Sequence, residues 1–162
     1  MRWVWIDKFV EFESGKRAVA IKNVSMAEEH LHDHFPGFPV MPASLIVEGM
    51  AQTAGILVGE ARQFKEKVIL AKIKQARLDR EVRPGDQLTY AAEVEHMDDA
   101  AAHTAGIVRC NGEEIGRIDF VFSHIDQNMS GLNFPEENFV FTGEFQSLLR
   151  SFTREQAGAA KS

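Results

Sequence analysis

The chain is short of several things. It has one cysteine, Cys110, in 162 residues, so an internal disulfide is excluded and nothing demands an oxidising compartment. Basic residues are outnumbered, 18 against 24 acidic ones, for a formal net charge of −6. A nucleic-acid binder needs the opposite, a basic footprint for phosphates. No stretch approaches the ~20 uninterrupted apolar residues of a membrane-spanning helix. The opening MRWVWIDKFVEF is broken by Asp7, Lys8 and Glu11 where a secretory signal would run apolar. Repeats and low-complexity segments are lacking too. These absences lead to the expectation of a cytoplasmic globular protein with no membrane span and no nucleic-acid partner, long enough to bury one core.

What is present begins with strands. Residues 4–12 and 16–24 are rich in β-branched and aromatic types and flank Ser14-Gly15, which predicts a strand pair joined by a turn. Residues 67–74 predict another strand, before an irregular stretch with a Pro84-Gly85-Asp86 turn. Leu88, Tyr90, Ala92 and Val94 then alternate with polar or small residues at a period of two. Residues 104–110 and 113–123 flank Asn111-Gly112, the strongest short hairpin signal. Ile118, Phe120 and Phe122 share one face of the last strand. The polar stretch 124–137 breaks the pattern. Residues 143–153 predict a short amphipathic helix using Phe145, Leu148, Leu149 and Phe152, and the final REQAGAAKS reads as frayed.

Between the early and late strands lies the stretch that orders the rest. Pro36, Pro39 and Pro42 with Gly37 forbid a helix or central strand over residues 25–43, which predicts an ordered loop. From Ser44, read as a cap for the first turn, to Arg62 the pattern is helical and apolar on nearly every face, so this helix should be buried. Gly49, Gly55 and Gly59 each cost about 1 kcal/mol against alanine inside a helix, which suggests a surface in close approach. The order of two strands, a buried helix and about four strands fits an antiparallel sheet curled round that helix, an α+β fold, and not alternating βαβ units. The helix carries one lone acid, Glu48. An isolated buried charge is too costly to keep, so this acid must shift its pKa or find a partner. His34, in the proline loop, is the nearest upstream candidate.

The segment HFPGFPVMPASLIVEGMAQTAG closely resembles the signature of the β-hydroxyacyl-acyl carrier protein dehydratases of the FabZ type. His34 through Pro42 match that signature, Glu48 follows His34 by fourteen residues as the family spacing requires, and Ala51-Gln52 matches the family's Ala-Gln pair. Downstream, AKIKQARLDREVRPGDQL resembles the family's strand, arginine and Pro-Gly-Asp turn. The resemblance covers roughly residues 16–122 and implies a hot-dog fold, a long central helix wrapped by a curved antiparallel sheet of about six strands. Residues 1–123 would form that single domain, and 124–162 a C-terminal extension packed on it or trailing from it. Also implied is a homodimer, in many family members assembled further into a trimer of dimers, with His34 of one subunit meeting Glu48 of the other.

The implied reaction is dehydration of a (3R)-hydroxyacyl-acyl carrier protein to the trans-2-enoyl product in fatty-acid or related acyl-chain synthesis, with no cofactor and no metal. The residue types suit it. A neutral imidazole is a reasonable base for the C2 proton, and a carboxyl kept protonated by apolar surroundings is a reasonable acid for the departing hydroxyl. Gln52, one turn beyond Glu48, is placed to orient the carboxyl. Backbone N–H groups at the helix start would face the charge growing on the thioester oxygen. Gly37, Phe38, Val40, Met41, Pro42, Ala43 and Ser44 are the other expected substrate-binding residues. Ala43 stands where the family usually has glycine, and alanine resists φ > 0.

Lys72, Lys74, Arg77, Arg80 and Arg83 are expected to form a basic rim that docks acidic carrier protein. His30, His32 and His34 would share a face if the segment were extended, which raises a zinc reading, but no second ligand cluster supports it. Two other functions stay open: a hot-dog acyl thioesterase, in which Glu48 would handle water, and a non-catalytic acyl-carrier-binding homologue.

Overall fold

Alternating apolar and polar side chains decide where most strands lie, and most strands turn their apolar set toward one long helix. The computed structural model describes residues 3–125 and 143–159. In chain order the elements are β1 (Lys8–Glu13), β2 (Arg17–Asn23), a single helical turn α1 (His30–Asp33), the long α2 (Ala43–Ala61), β3 (Lys67–Leu78), β4 (Gln87–Met97), β5 (Ala101–Cys110), β6 (Glu113–Ile125) and α3 (Gly143–Ala159). The six strands make one antiparallel sheet in the order β1-β2-β4-β5-β6-β3. The expected hot-dog arrangement is therefore the observed one. Asn111 and Gly112 adopt φ of 51° and 88°, the left-handed pair that a two-residue hairpin between β5 and β6 requires.

Helix α2 packs against β2 through β6. Leu45, Ile46, Met50, Ile56, Leu57 and Val58 are all buried from it, each contributing about 1.5–3 kcal/mol by leaving water. The sheet answers with Tyr90, Val108, Ile118 and Phe120. At Gly49 the approach is so close that a Cβ would come within 2.6 Å of the Tyr90 ring, whereas at Gly55 it would meet Phe122 at an ordinary 3.5 Å. The close-approach reading thus holds for Gly49 and not for Gly55.

Several boundaries differ from the sequence reading, each for a physical reason. Regular pairing of β1 starts at Lys8 rather than residue 4, because the backbone groups of Trp3 and Trp5 bond the Gln52 side chain instead of a neighbouring strand. Strand β3 continues through Leu78, across register shifts at Leu70/Lys72 and Ile73/Gln75 that erase its two-residue period. The proline loop contains α1. A Ser25-x-x-Glu28 capping arrangement precedes it, Ser25 N–H donating to Glu28 Oε1 at 2.9 Å and Ala27 N–H to Ser25 Oγ at 3.2 Å. Helix α2 begins at Ala43 with Pro42 at the N-cap and no side-chain cap, so Ser44 lies inside the first turn and does not cap it.

The expected amphipathic helix after residue 142 exists and is longer than foreseen, running through most of the stretch read as frayed. Phe145, Leu148, Leu149 and Phe152 are its half-buried stripe against the core, and it packs beside β1. The polar stretch 126–137 and the last three residues lie outside the described residues. Among the described residues no helix is long and apolar enough to cross a membrane.

Candidate active site

His34 ends α1 and opens the proline loop. Its ends are clamped together: Val40 N–H donates to the His34 carbonyl at 2.8 Å, and His34 Nδ1 lies 2.8 Å from the Val40 carbonyl. A carbonyl only accepts, so Nδ1 carries a proton, and in the neutral tautomer that this bond selects Nε2 is the lone pair. Between the clamps, Phe35 and Phe38 exchange backbone hydrogen bonds at 3.1 and 2.9 Å round Gly37, whose φ of 74° needs glycine. The Phe35 ring stacks on the imidazole with centroids 4.2 Å apart. Met41 N–H donates to the Val82 carbonyl at 2.8 Å, tying the loop to the segment before β4. The result is a half-buried imidazole held by backbone, beside a cavity of about 360 Å³.

Glu48 is held from its own helix. Gln52 Nε2 donates to Glu48 Oε1 at 2.8 Å and to the Trp3 carbonyl at 2.9 Å, while Gln52 Oε1 accepts the Trp5 N–H at 2.8 Å. The Trp5 N–H fixes which end of the amide is oxygen, and so makes the other end the donor to Glu48. Glu48 Oε1 is thereby an acceptor, and Oε2 has no protein partner among the described residues. Contrary to expectation the carboxyl is half-buried, not enclosed. Ser44, Val47, Glu48 and Ala51 share the helix face at i, i+3, i+4 and i+7 that the sheet leaves uncovered. Glu48 opens into a second cavity, of about 200 Å³, with Ala51 and Gly55 of α2, Val68 and Leu70 of β3, and Phe122 of β6.

The two groups therefore line different cavities of one chain. His34 shares its cavity with Val40, Met41, Ala43 and the acidic and basic run Asp79, Arg80 and Glu81. Gln52 shares the Glu48 cavity, while Gly37, Phe38, Pro42 and Ser44 line neither. Phe38 is instead an exposed loop tip with the Arg83 guanidinium 3.9 Å over its ring. Ala43 takes a helical conformation, so the glycine-to-alanine departure meets no positive φ here.

Of the expected basic rim, Arg77 bonds Asp79 at 2.8 and 2.9 Å, Arg83 bonds Glu81 at 2.9 Å, and Arg80 lies 3.4 Å from Glu113 and 3.8 Å from Asp86. Lys72 and Lys74 stand exposed on β3. Asp86 in the Pro-Gly-Asp turn is held below the ordinary carboxylate range. Burial alone would raise it, but the Arg83 N–H, the Asn111 amide and the Arg80 charge outweigh that.

The zinc reading fails on its premise. His30 and His32 sit on a helical turn, where residues two apart point about 200° away from each other. His32 Nε2 bonds the Met26 carbonyl at 2.9 Å. The His30 ring meets Trp5 edge-on at 5.2 Å, and burial pushes its imidazole below the ordinary range against the pull of the Glu28 charge. Trp3 and Trp5 are site neighbours that sequence reasoning did not assign. Only the aromatic content of the N-terminal segment hinted at them.

Comparison with known proteins gives the family. The FabA-like domain family matches residues 2–118. The chain is 40% identical over 119 residues to the 3-hydroxyacyl-[acyl-carrier-protein] dehydratase FabZ of Bacillus pumilus, covering 73% of this chain and 83% of that one. It is 42% identical over 111 residues to the FabZ of Caldanaerobacter subterraneus, covering 68% and 78%. Among solved structures, the dehydratase heterocomplex ApeI:P from Xenorhabdus doucetiae matches with a TM-score of 0.65 at 16% identity, over 77% of this chain and 85% of that one, a likeness of fold. With a matched domain of this extent and relatives at this identity, the chain belongs to the FabA-like family, among its 3-hydroxyacyl-[acyl-carrier-protein] dehydratases of the FabZ type.

Proposed function

We propose that the protein dehydrates (3R)-hydroxyacyl-acyl carrier protein to the trans-2-enoyl thioester, with His34 of one chain and Glu48 of a second chain as base and acid. The observation that carries the reading is the state of the two groups. The backbone bond at Nδ1 leaves His34 Nε2 as a lone pair, and the Gln52 amide occupies one oxygen of Glu48, leaving the other for the substrate.

Nε2 takes the C2 proton, the C2–H electrons form the C2=C3 bond, and the C3–O bond breaks as Glu48 delivers a proton to the hydroxyl, which leaves as water. The thioester oxygen gains charge during this step. The N–H groups of Ala43 and Ser44, in the first turn of α2, precede the first intrahelical bonds and are available to it. A proton returned from His34 to Glu48 through solvent resets the pair.

The dimer is part of the proposal. Strand β3 is the last strand in the sheet order among the described residues, and Leu70 and Ile73 on it are exposed at 39% and 47%. Exposed apolar side chains on an edge strand favour pairing with another strand that covers them. A second copy added there would extend the sheet and cover the open face of α2. On this reading residues 1–123 are the catalytic domain, and Lys72 and Lys74 lie at the subunit boundary rather than on a free docking rim. The arginines round the His34 cavity receive the carrier. Their ion pairs are exposed and screened by solvent, so carboxylates of an acidic carrier compete with them.

Mass spectrometry of the products from a panel of (3R)-hydroxyacyl carriers tests the activity, with enoyl product expected and free thiol alone marking a thioesterase. His34→Ala and Glu48→Gln should fold normally and lose dehydration by about a hundredfold or more. Full activity in either variant sinks the assignment of that residue.

A further inference from the structure

We infer that helix α3 is a working wall of the acyl pocket, and that Phe145 sets the length of acyl chain the enzyme accepts. This rests on the dehydratase reading and deepens it. The FabA-like match ends at residue 118, so α3 lies wholly outside the shared domain. Yet Phe145 lines the same cavity of about 200 Å³ as Glu48. Apart from Glu48 and its partner Gln52, the lining side chains are apolar groups of α2, β3 and β6, among them Ile56, Leu70 and Phe122.

If Glu48 protonates the hydroxyl at C3, the carbons beyond C3 need an apolar space beside that carboxyl, and this cavity is the one Glu48 opens into. Its volume lies below the roughly 300–1,000 Å³ of ordinary ligand pockets, so the side chains that bound it decide which tails fit. Phe145 is the bulky boundary contributed from outside the common fold. Its helix is held to the body by the apolar stripe of Leu148, Leu149 and Phe152, and the Phe145 ring itself packs on the core as well. Phe152 packs on the core without lining the cavity, which separates the role of the ring from the role of the helix.

The test uses the full-length chain with (3R)-hydroxybutyryl and (3R)-hydroxydecanoyl carriers, comparing kcat/KM for the two. Removing the ring in Phe145→Ala should raise the decanoyl-to-butyryl ratio by at least about tenfold, the discrimination that one or more methylenes support in an apolar pocket. Phe145→Trp should move the ratio the other way. Phe152→Ala, which loosens the same helix, should leave the ratio unchanged whatever it does to the melting temperature. A native ratio in both Phe145 variants, or an equal shift in Phe152→Ala, overturns the inference while leaving the dehydratase reading intact. Absence of enoyl product from every carrier with the native chain removes that reading, and this inference with it.

Discussion

Gln52 does more than its place one turn after Glu48 suggested. It is buried at 7% exposure, and both ends of its amide are used: toward Trp5, toward Trp3 and toward the acid. It therefore couples the orientation of Glu48 to the seating of the N-terminal segment. Gln52→Ala leaves the Trp5 N–H without its partner, and stability should fall by about 1–3 kcal/mol. The carboxyl also loses its aim, so kcat should fall about ten- to a hundredfold with KM little changed. Steady-state kinetics beside a thermal melt check this. A loss of stability with unchanged kcat would make Gln52 a purely structural tie.

Among the elements, α2 shows how a costly residue is justified by its neighbour. Glycine at 49 admits the Tyr90 ring, which is fully buried and whose hydroxyl burial pushes well above its ordinary range. Gly49→Ala should destabilise by roughly 1–3 kcal/mol through overpacking. Gly55→Ala, with room for its methyl, should be neutral or gain up to about 1 kcal/mol from helix propensity. Denaturant melts of the two variants decide the matter, and equal effects would contradict the close approach at 49. Strand β3 illustrates the opposite problem. Its two register shifts displace the apolar positions, so half of it reads as irregular in sequence although it pairs along most of β6.

For the whole molecule, the separation of His34 and Glu48 into two cavities is the dominant fact. A single chain presents each group prepared but alone. If the site forms between two chains, inactive His34→Ala and Glu48→Gln chains should complement each other when mixed and re-equilibrated. Each mixed dimer holds one site with both groups native. Random pairing then restores about a quarter of native activity, half the dimers being mixed with one good site each. No recovery after verified subunit exchange would argue for a site within one chain.

Much of this was legible before any coordinates. The hairpin at Asn111-Gly112, the long apolar helix and the rigid proline loop all rest on local chemistry: positive φ in a turn, periodicity and ring constraints. The Ser25-x-x-Glu28 turn ahead of α1 is a local signal of the same kind, although α1 itself starts from Glu29 with no side-chain cap. What the tertiary structure alone decided depends on residues far apart in the chain. The Trp3 and Trp5 backbone reaches Gln52, Tyr90 fits over Gly49, Arg80 turns toward Asp86, and Phe145 arrives beside Glu48 from a helix outside the shared domain. None of these contacts leaves a periodic or compositional trace, because each depends on how the sheet curls about the helix. That curvature leaves Glu48 on the open face, half-buried, where a chain read residue by residue had placed it in the core.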